Sequence, residues 1–462
     1  MPIKLVDRKE EIARLKEAIE RPPQLVILRG RRRVGKSFLL DRCVQGRRNV
    51  FLQADEQTER AHLDLFAREA ARLLPGQPPL RFEDWDAALR FVTDQASQGP
   101  LIVLMDEFQW LVRAQPAFAS IIQRHWDSWD RERTPVTLVL CGSALALMEG
   151  LLARDAPLYG RAGYRPLLLP LDFRQAAAFA PAGADAMEKL QRYAVLGGTP
   201  QYQLWAGRGE LTDVLVERIL RKGESLYEEP LHLLREEQQI RDPGTYFAVV
   251  AAIARGATRP SEIANATQLE VPNLIKMLRR LSTLGYLETR APVSPKREAK
   301  RTNYRLRDPF FRFWFRYVFP NRSLLERGRT REVLAEIERD LDNFMGAAFE
   351  DCCRDWVGRY ATEKQAPCCE KLGAWWSRDG QTEIDVAGVS RRAYVLLGSC
   401  KWDRKTRTHI LGRLLDHRDR LGPPAAAARL VIFARGFDPA LIQRAEQEGV
   451  GLVTAAELFA QA

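Results

Sequence analysis

Short, uninterrupted apolar runs alternate with amphipathic stretches over the first third of the chain. Residues 25–28 and 101–105 are entirely apolar, and residues 136–141 contain one polar, uncharged residue, Thr137. Such runs are typical of strands that are buried on both faces of a parallel sheet. A further strand is predicted at 49–55, and helical segments between 58 and 96. The pattern therefore predicts an open α/β sheet over residues 1–170.

Strand signals stop after residue 170 and helical periodicity takes over. Residues 171–240 are predicted to form a helical lid, interrupted by a turn at 196–200 that would lie close to a ligand of the sheet. Three short helices are predicted next, over 246–255, from Ser261, and from Val271 to Gly285. Two strand-like segments follow, at 286–289 and 302–306. This outline predicts a winged helix-turn-helix within residues 241–324.

The third of these helices has one apolar face and one polar face. The apolar face is predicted to be buried and consists of Val271, Leu274, Ile275, Leu278, Leu281 and Leu284. Outside it lie Asn273, Lys276, Arg279 and Arg280, the candidate DNA-binding residues. A helix in this position can enter a major groove. Winged helices also bind proteins, and a basic face is often only solvated, so a protein partner is the alternative.

An aromatic run at 310–317 precedes the last third of the chain. Phe311, Phe315 and Val318 share one helical face, whereas Phe310, Trp314 and Tyr317 share another. Aromatic rings can stack on bases, but core packing is the favoured interpretation, in a helix that docks domains together.

From about residue 325 to 462 the pattern returns to α/β. A helical stretch carries Glu350, and strands are predicted at 371–376, 382–389 and 394–398, with a turn at 378–380. Glu383 and Asp385 alternate with apolar residues, which places both carboxylates on one face. Lys401 follows the next strand. Carboxylates on one strand and a lysine after the next are typical of a single-metal phosphodiesterase site, although a surface hairpin would show the same residues.

The segment that follows the first apolar run matches G-x-x-x-x-G-K-S without a mismatch. Its glycines allow the backbone N–H groups to approach phosphate oxygens, its lysine faces the β- and γ-phosphates, and its serine offers a hydroxyl to Mg²⁺. The helix that begins there directs its positive end at the same anion. The predicted nucleotide contacts are Gly30, Arg31, Arg32, Arg33, Val34, Gly35, Lys36, Ser37 and Phe38.

Two acids and a serine follow the other apolar runs. Asp106, at the end of one run, is predicted to hold Mg²⁺ together with Ser37, and Glu107 to activate the attacking water. Ser143 follows the third run and is predicted either to contact the γ-phosphate or to cap the next helix. Glu107 favours ATP hydrolysis over kinase chemistry.

Composition restricts the class of protein. The 462 residues allow two to four domains, and since no apolar run approaches the length of a membrane span, a cytoplasmic protein is expected. The net charge is +11, and residues 271–330 hold fifteen Lys or Arg against four Asp or Glu, which equals the whole excess. Such a segment favours a polyanionic partner. The pairs Cys352-Cys353 and Cys368-Cys369 lack C-x-x-C spacing, so packed thiols are favoured over zinc.

These motifs together resemble the archaeal-type ATPases of the STAND and AAA-like P-loop group, which carry a winged helix and a C-terminal PD-(D/E)XK nuclease-like domain. The resemblance covers almost the whole chain. Besides the phosphate loop it involves residues 5–11, 106–109, 141–143, 158–161, 197–200, 307–314, 383–386 and 400–402.

The resemblance implies further roles. Arg161 would sense the γ-phosphate or act as an arginine finger, unless it is a surface arginine, and Gly198 and Pro200 would couple the lid to the nucleotide. One position departs from the nuclease pattern, because Ser399 stands where an acid is expected two residues before Lys401. A hydroxyl is a poor substitute for a carboxylate as a magnesium ligand, so weak or lost cleavage is expected unless Glu350 and Glu383 compensate.

The sequence thus predicts a multidomain α/β protein with a P-loop sheet, a helical lid, a winged helix and a restriction-endonuclease-like domain. Its expected activity is ATP hydrolysis with Mg²⁺, in which the nucleotide state controls the basic winged helix and the nuclease-like domain. Duplex DNA is the expected partner, and an oligomer is compatible with the sequence. One alternative is an ATP-regulated DNA endonuclease; the other is a nucleotide-dependent regulator or scaffold without nuclease activity.

Overall fold

The computed structural model describes residues 8–237, 240, 242–295, 302–377, 379 and 381–460. It divides into two compact units. The first comprises Met1–Pro170 with Thr283–Gly285, and the second comprises Leu171–Ser282 with Tyr286–Ala462. Residues 5–7, residues 296–301 before the second predicted strand-like segment, and two residues of the predicted turn at 378–380 lie outside the described residues.

The first unit alternates helices and strands, as predicted. Its elements are α1 (Lys9–Ile19), β1 (Gln24–Arg29), α2 (Lys36–Val44), β2 (Asn49–Gln53), α3 (Glu59–Ala70), α4 (Trp85–Ala96), β3 (Leu101–Asp106), α5 (Phe108–Ala114), α6 (Phe118–Glu132), β4 (Val136–Gly142) and α7 (Leu145–Gly150). The four strands form a parallel sheet in the order β1-β4-β3-β2. Tyr164 and Leu167 extend it through bridges to β1.

The uninterrupted apolar runs have a direct structural reason. Leu25 and Ile27 pack into one core layer, whereas Val26 and Leu28 pack into the other, so that neither face of β1 meets water. Because β4 separates β1 from β3, the carboxyl end of β4 lies between those of the other two strands. Ligands of such sheets bind at this edge.

The second unit begins with short helices, as predicted for residues 171–240. They are α8 (Phe173–Ala176), α9 (Ala186–Leu196), α10 (Pro200–Ala206), α11 (Leu211–Val214) and α12 (Ser225–Glu236). The chain continues with α13 (Pro243–Ala254), α14 (Pro260–Thr267), α15 (Val271–Thr283) and the antiparallel strands β5 (Leu287–Arg290) and β6 (Asn303–Leu306). Three helices and a two-stranded ribbon therefore occur in the predicted order.

Helix α15 is amphipathic, but two residues of its predicted apolar face are not buried: Ile275 is half-buried and Val271 is exposed. Leu274, Leu278 and Leu281 are fully buried, which confirms most of the predicted apolar face. Val271 was predicted to be buried and is 47% exposed. It is the first residue of the helix, where fewer neighbours cover a side chain.

The aromatic run forms α16 (Pro309–Phe313), a π-helical turn at Trp314–Val318 and, after it, α17 (Arg322–Glu326). Phe310, Trp314 and Phe315 are completely buried, and Tyr317 is 2% exposed. The predicted core packing is confirmed. The alternative of base stacking is wrong, since no ring face in the run is open to a ligand among these side chains.

The C-terminal region is α/β, with α18 (Thr330–Arg359), β7 (Lys371–Trp376), β8 (Glu383–Ser390), β9 (Ala393–Lys401), α19 (His409–Leu421), β10 (Arg429–Ala434), α20 (Pro439–Gln447) and β11 (Gly451–Thr454). The sheet order is β11-β10-β9-β8-β7. Strands β7, β8 and β9 are antiparallel, and β9, β10 and β11 are parallel. The parallel pairing directs the carboxyl ends of β9 and β10 toward the same edge.

No helix in the described part of the chain is both long and apolar enough to cross a bilayer. Cys352 and Cys353 are buried on α18, whereas Cys368 is exposed and Cys369 is half-buried. The described residues contain no group of three or more His, Cys, Asp or Glu side chains arranged to hold a metal ion.

Candidate functional site

The loop between β1 and α2 depends on its two glycines. A Cβ atom on Gly30 would lie 2.7 Å from the carbonyl oxygen of Leu168, and Gly35 has a φ of 92°. A side chain at position 30 would therefore clash, and one at position 35 would strain the backbone. The loop ends at the N-terminus of α2, where backbone N–H groups lack partners within the helix. This geometry suits an anion, and a phosphate chain fits it by the same chemistry.

The lysine of the motif is held by the loop itself. Lys36 is 5% exposed, and its Nζ donates a hydrogen bond to the carbonyl oxygen of Arg31 at 3.1 Å. Val34 is 1% exposed and packs into the core, so only its backbone can contact a nucleotide. Phe38 is half-buried, and Arg32 is exposed.

Ser37 and Asp106 connect the phosphate loop to the end of β3. Ser37 Oγ donates a hydrogen bond to Asp106 Oδ2 at 2.5 Å. Asp106 is completely buried, and its other oxygen accepts the Glu107 N–H at 2.9 Å. A hydroxyl and a carboxylate oxygen side by side are the ligands that Mg²⁺ prefers. The donor set therefore fits the predicted ion.

Glu107 and Ser143 lie together. Glu107 has a φ of 52°, a left-handed conformation that is uncommon for a residue with a side chain and often occurs at functional sites. Ser143 Oγ donates to Glu107 Oε2 at 2.7 Å. Ala144, not Ser143, is the cap residue of α7, and it makes no side-chain capping bond. The alternative that Ser143 caps this helix is therefore wrong.

Gln109 joins the same group and was not predicted as a functional residue. Its Nε2 donates to Glu107 Oε2, and also to Ser143 Oγ at 3.2 Å. Gln109 is 2% exposed. The available sequence signal was an amide within the otherwise apolar segment that follows the two acids, since amides buried in such segments need partners.

Arg161 is held by an acidic partner on α6. Its Nε donates to Asp127 Oδ1 at 2.7 Å and its Nη2 to Asp127 Oδ2 at 2.9 Å. The hydrogen bonds from Arg161 lower the pKa of the Asp127 carboxyl. A role for Arg161 at the γ-phosphate requires this ion pair to open, and that role stays a prediction.

Gly198 and Pro200 belong to the second unit. Leu171 donates its N–H to the carbonyl oxygen of Gly198 at 2.8 Å. A Cβ atom at position 198 would lie 1.7 Å from the carbonyl oxygen of Leu171, so only glycine fits. Pro200 is the first residue of α10. Their contribution to nucleotide binding stays a prediction.

A second group of titratable residues surrounds a pocket of about 260 Å³ at the carboxyl end of β9. The pocket is lined by Glu383 and Asp385 of β8, Ser399 and Lys401 of β9, and Arg413 and His417 of α19. Glu383 and Asp385 thus share one face, as predicted. The helix α19 contributes an arginine and a histidine that were not predicted.

Asp385 is already well supplied with donors. Its Oδ2 accepts the Cys400 N–H at 2.7 Å and the Ser399 hydroxyl at 3.2 Å. Lys401 Nζ lies 3.9 Å from the same oxygen. Burial and the nearby Asp385 carboxylate raise the pKa of Glu350 from 4.5 to about 7, and the same two causes raise the pKa of Glu383. The Asp385 carboxylate therefore acts electrostatically on both glutamates.

Four arginines converge on Asp351 of α18, a feature that was not predicted. Arg290 and Arg305 approach from the β5–β6 ribbon, Arg312 from α16 and Arg354 from α18 itself, at 2.7, 2.9, 2.8 and 2.7 Å. Burial alone would raise the pKa of Asp351, but the arginines hold it well below its usual value. The ribbon arginines are therefore engaged within the protein.

The predicted DNA-binding side chains lie on the outer face of α15. Asn273, Lys276, Arg279 and Arg280 are all exposed. Arg280 Nη1 also donates to the Tyr246 hydroxyl at 3.3 Å. The exposed face leaves these cations accessible to a polyanion, in contrast to the arginines of the ribbon.

Two family models and a relative match this chain. Residues 5–203 match the model of an ATPase domain that occurs predominantly in Archaea, and residues 314–411 match a model described as "Archaea bacterial proteins of unknown function". An uncharacterized protein of Methanocaldococcus jannaschii is 30% identical over 390 residues, which are 83% of this chain and 84% of that protein.

Solved structures share the fold. The Walker-type ATPase of Pyrococcus abyssi aligns with a TM-score of 0.50 and 23% identity over 67% of this chain and 96% of that chain. At this identity the similarity shows the fold alone. The ORC2 protein of Aeropyrum pernix aligns with a TM-score of 0.45 and 13% identity over 73% of this chain and 96% of its own, a similarity too weak to support an argument.

Proposed function

The chain belongs to the same family as the Methanocaldococcus jannaschii protein and carries an archaeal-type ATPase domain, and we propose that it hydrolyses ATP with Mg²⁺. The hydrogen bond from Ser37 to Asp106 at 2.5 Å is the observation that carries this proposal. It brings the last residue of the phosphate loop to the acid at the end of β3. A hydroxyl and a carboxylate at the edge of a parallel sheet, next to a phosphate loop, are the arrangement that phosphoryl transfer needs.

Each residue of the site has a role in the proposed reaction. Lys36 neutralises charge on the β- and γ-phosphates, and the backbone of the loop holds the phosphate chain. Ser37 and Asp106 would hold Mg²⁺, which when bound neutralises charge on the phosphate oxygens. Glu107 accepts the proton of the attacking water. Ser143, which lies beside Glu107, contacts the γ-phosphate.

Release of phosphate from ATP tests the proposal. The wild type is expected to release phosphate with Mg²⁺, and EDTA is expected to stop the release. Glu107→Gln is expected to bind ATP and to turn it over slowly, because the Mg²⁺ ligands remain while the base is lost. Hydrolysis by Glu107→Gln at the wild-type rate would refute the assignment of the base.

We further propose that the nucleotide state controls a winged helix that binds duplex DNA. The order of α13, α14, α15 and the β5–β6 ribbon supports the winged-helix assignment. The exposed Lys276, Arg279 and Arg280 support contact with phosphates. A protein partner for the same surface is the alternative.

For residues 325–462 we propose a nuclease-like fold with weak or lost cleavage. The arrangement of Asp385 and Lys401 at one pocket supports the fold assignment. The Ser399 hydroxyl, which donates to Asp385 where a nuclease would present a second carboxylate, supports the loss of cleavage. One alternative is an ATP-regulated DNA endonuclease in which Glu350 and Glu383 compensate for the missing acid at position 399. The other alternative is a nucleotide-dependent regulator or scaffold.

A further inference from the structure

Glu107, Gln109 and Ser143 form a closed ring of hydrogen bonds at the carboxyl ends of β3 and β4. Gln109 Nε2 donates one hydrogen to Glu107 Oε2 and the other to Ser143 Oγ. The Ser143 hydroxyl donates its single hydrogen to the same Glu107 oxygen at 2.7 Å. Two donors therefore fix one oxygen of the carboxylate, and every donor hydrogen of the ring is used.

The stability of the fold does not explain an amide at position 109. Within the described residues, Gln109 Oε1 is buried and has no hydrogen-bond partner. A buried carbonyl oxygen without a donor costs free energy. A methionine has nearly the same length and would avoid this cost, so the value of the glutamine lies in what its Nε2 does.

Gly142 provides the space that the amide occupies. A Cβ atom at this position would lie 2.8 Å from Gln109 Oε1 and 2.5 Å from Met148 Sδ. Any larger residue at the end of β4 would displace the amide. The position of Gln109 is therefore fixed from two strands, through Glu107 after β3 and Gly142 of β4.

The ring sets a limit on Ser143. A hydroxyl has one hydrogen, so Ser143 can donate to Glu107 or to the γ-phosphate, but not to both. When Ser143 contacts the γ-phosphate, Glu107 loses one of its two donors. The Gln109 amide can keep its bond to Glu107 through that exchange, because its donor hydrogens do not depend on the direction of the hydroxyl.

We infer that Gln109 is a positioning residue for ATP hydrolysis: its amide holds the Glu107 carboxylate in place while the Ser143 hydroxyl changes its partner. This inference rests on the proposed ATPase function. Gln109 acts through Glu107 and does not itself contact the nucleotide. Its loss should therefore affect turnover and leave ATP binding unchanged.

Full-length Gln109→Met tests the inference, with Gln95→Met as the matched control. Gln95 is also a buried glutamine of the first unit, 6% exposed, and its side chain accepts a hydrogen bond from Arg48. For Gln109→Met we expect kcat to fall about 10- to 100-fold because the base is misplaced, whereas the Kd of a slowly hydrolysed ATP analogue with Mg²⁺ stays within about twofold. Gln95→Met should hydrolyse ATP at the wild-type rate.

Two further readouts separate positioning from a structural role. The Tm of Gln109→Met should not fall, because the unpaired buried carbonyl is removed. In a Glu107→Gln background, Gln109→Met should change kcat by less than about twofold, since residues that act as a unit are not additive. If Gln109→Met does not fold, Gln109→Asn is used instead; it retains the amide, shortens its reach and should lower kcat in the same way.

The outcomes distinguish the inference from the function on which it rests. A wild-type kcat in Gln109→Met, together with slow turnover by Glu107→Gln, overturns the inference and leaves the ATPase proposal intact. An equal loss in both backgrounds also overturns it, since the loss is then structural. Wild-type turnover by Glu107→Gln overturns the inference and the assignment of the base, whereas no hydrolysis by the wild type overturns both the inference and the ATPase proposal.

Discussion

The hydroxyl of Ser399 donates a hydrogen bond to Asp385 Oδ2 at 3.2 Å. The same oxygen accepts the Cys400 N–H at 2.7 Å. A glutamate at position 399 would present an acceptor where serine presents a donor, and it would leave Asp385 with one donor fewer. A pair of carboxylates would supply two strong Mg²⁺ ligands, whereas Asp385 with the Ser399 hydroxyl supplies only one.

We therefore expect the wild type to show little or no cleavage of supercoiled plasmid with Mg²⁺ or Mn²⁺. Ser399→Glu should raise the rate of nicking because it supplies a carboxylate beside Asp385. Ser390→Glu is the matched control, since it introduces the same charge at the end of β8 that lies away from Asp385. Gel electrophoresis of the nicked and linear products measures the effect.

Strong cleavage by the wild type would contradict this expectation. If that cleavage were lost in both Asp385→Ala and Lys401→Ala, the endonuclease alternative would become the leading one. Cleavage that persists in both variants would instead indicate a contaminating nuclease.

Lys36→Ala should abolish ATP binding or hydrolysis without unfolding the protein. The variant removes the main cation that faces the phosphates, while the loop backbone that shapes the site remains. Lys16→Ala removes an exposed lysine of α1 in the same unit and should leave both properties unchanged. Isothermal titration with ATP and Mg²⁺, together with the Tm, measures the two effects. A wild-type Kd and a wild-type rate of phosphate release in Lys36→Ala would show that Lys36 does not act on the nucleotide.

The sheet of the first unit was predictable because a strand covered on both faces is apolar at nearly every position. The same reasoning places Asp106 and Ser143 near each other, since the carboxyl ends of parallel strands meet at one edge. In the C-terminal region the sequence prediction named β7, β8 and β9 and missed β10 and β11. The apolar run of β10 was an available signal, whereas β11 has only four residues.

Side-chain partnerships between distant segments could not be predicted. Arg290, Arg305 and Arg312 come from three different elements, and no local pattern indicates that all of them meet Asp351. The sequence shows that these residues are charged, but not that they form ion pairs within the protein. For this reason the surplus of positive charge in 271–330 overstates the charge that is accessible to a partner.

Three exposed cations of that segment lie on α15, and their neutralisation should weaken binding to duplex DNA. Replacing Lys276, Arg279 and Arg280 with glutamine should lower affinity and reduce the slope of log K against log salt by up to about 3, because each lost phosphate contact contributes about 0.9. The effect should not depend on the DNA sequence, since phosphate contacts carry no base information. Fluorescence anisotropy at several salt concentrations measures the slope.

A control triple variant at Arg14, Arg21 and Arg72 removes the same charge from exposed positions of the first unit. It should leave the slope close to that of the wild type. If both triple variants reduce the slope equally, binding depends on net charge alone. If neither does, the exposed face of α15 is better assigned to a protein partner.

The bidentate ion pair between Arg161 and Asp127 can be broken from either side. Comparing the two variants therefore separates a catalytic role of the arginine from its contribution to stability. The two side chains are 27% and 48% exposed, and an exposed pair of this kind contributes about 1 kcal/mol or less to stability. Arg161→Ala and Asp127→Ala should therefore lower the Tm by similar, small amounts. Asp127→Ala frees the guanidinium and should retain or raise kcat, whereas Arg161→Ala should lower kcat if the arginine reaches a γ-phosphate.

A mixture of Lys36→Ala and Arg161→Ala then determines whether the arginine contacts the nucleotide of its own chain or that of a neighbouring chain. Lys36→Ala lacks a working phosphate site but keeps Arg161, whereas Arg161→Ala keeps the phosphate site. If the arginine acts across a subunit contact, the mixture should hydrolyse ATP faster than either variant alone, because Lys36→Ala subunits supply the missing guanidinium. If it acts within its own chain, the activity of the mixture should equal the average of the two. Equal kcat values in Arg161→Ala, Asp127→Ala and the wild type would show that Arg161 forms the ion pair but has no role in hydrolysis.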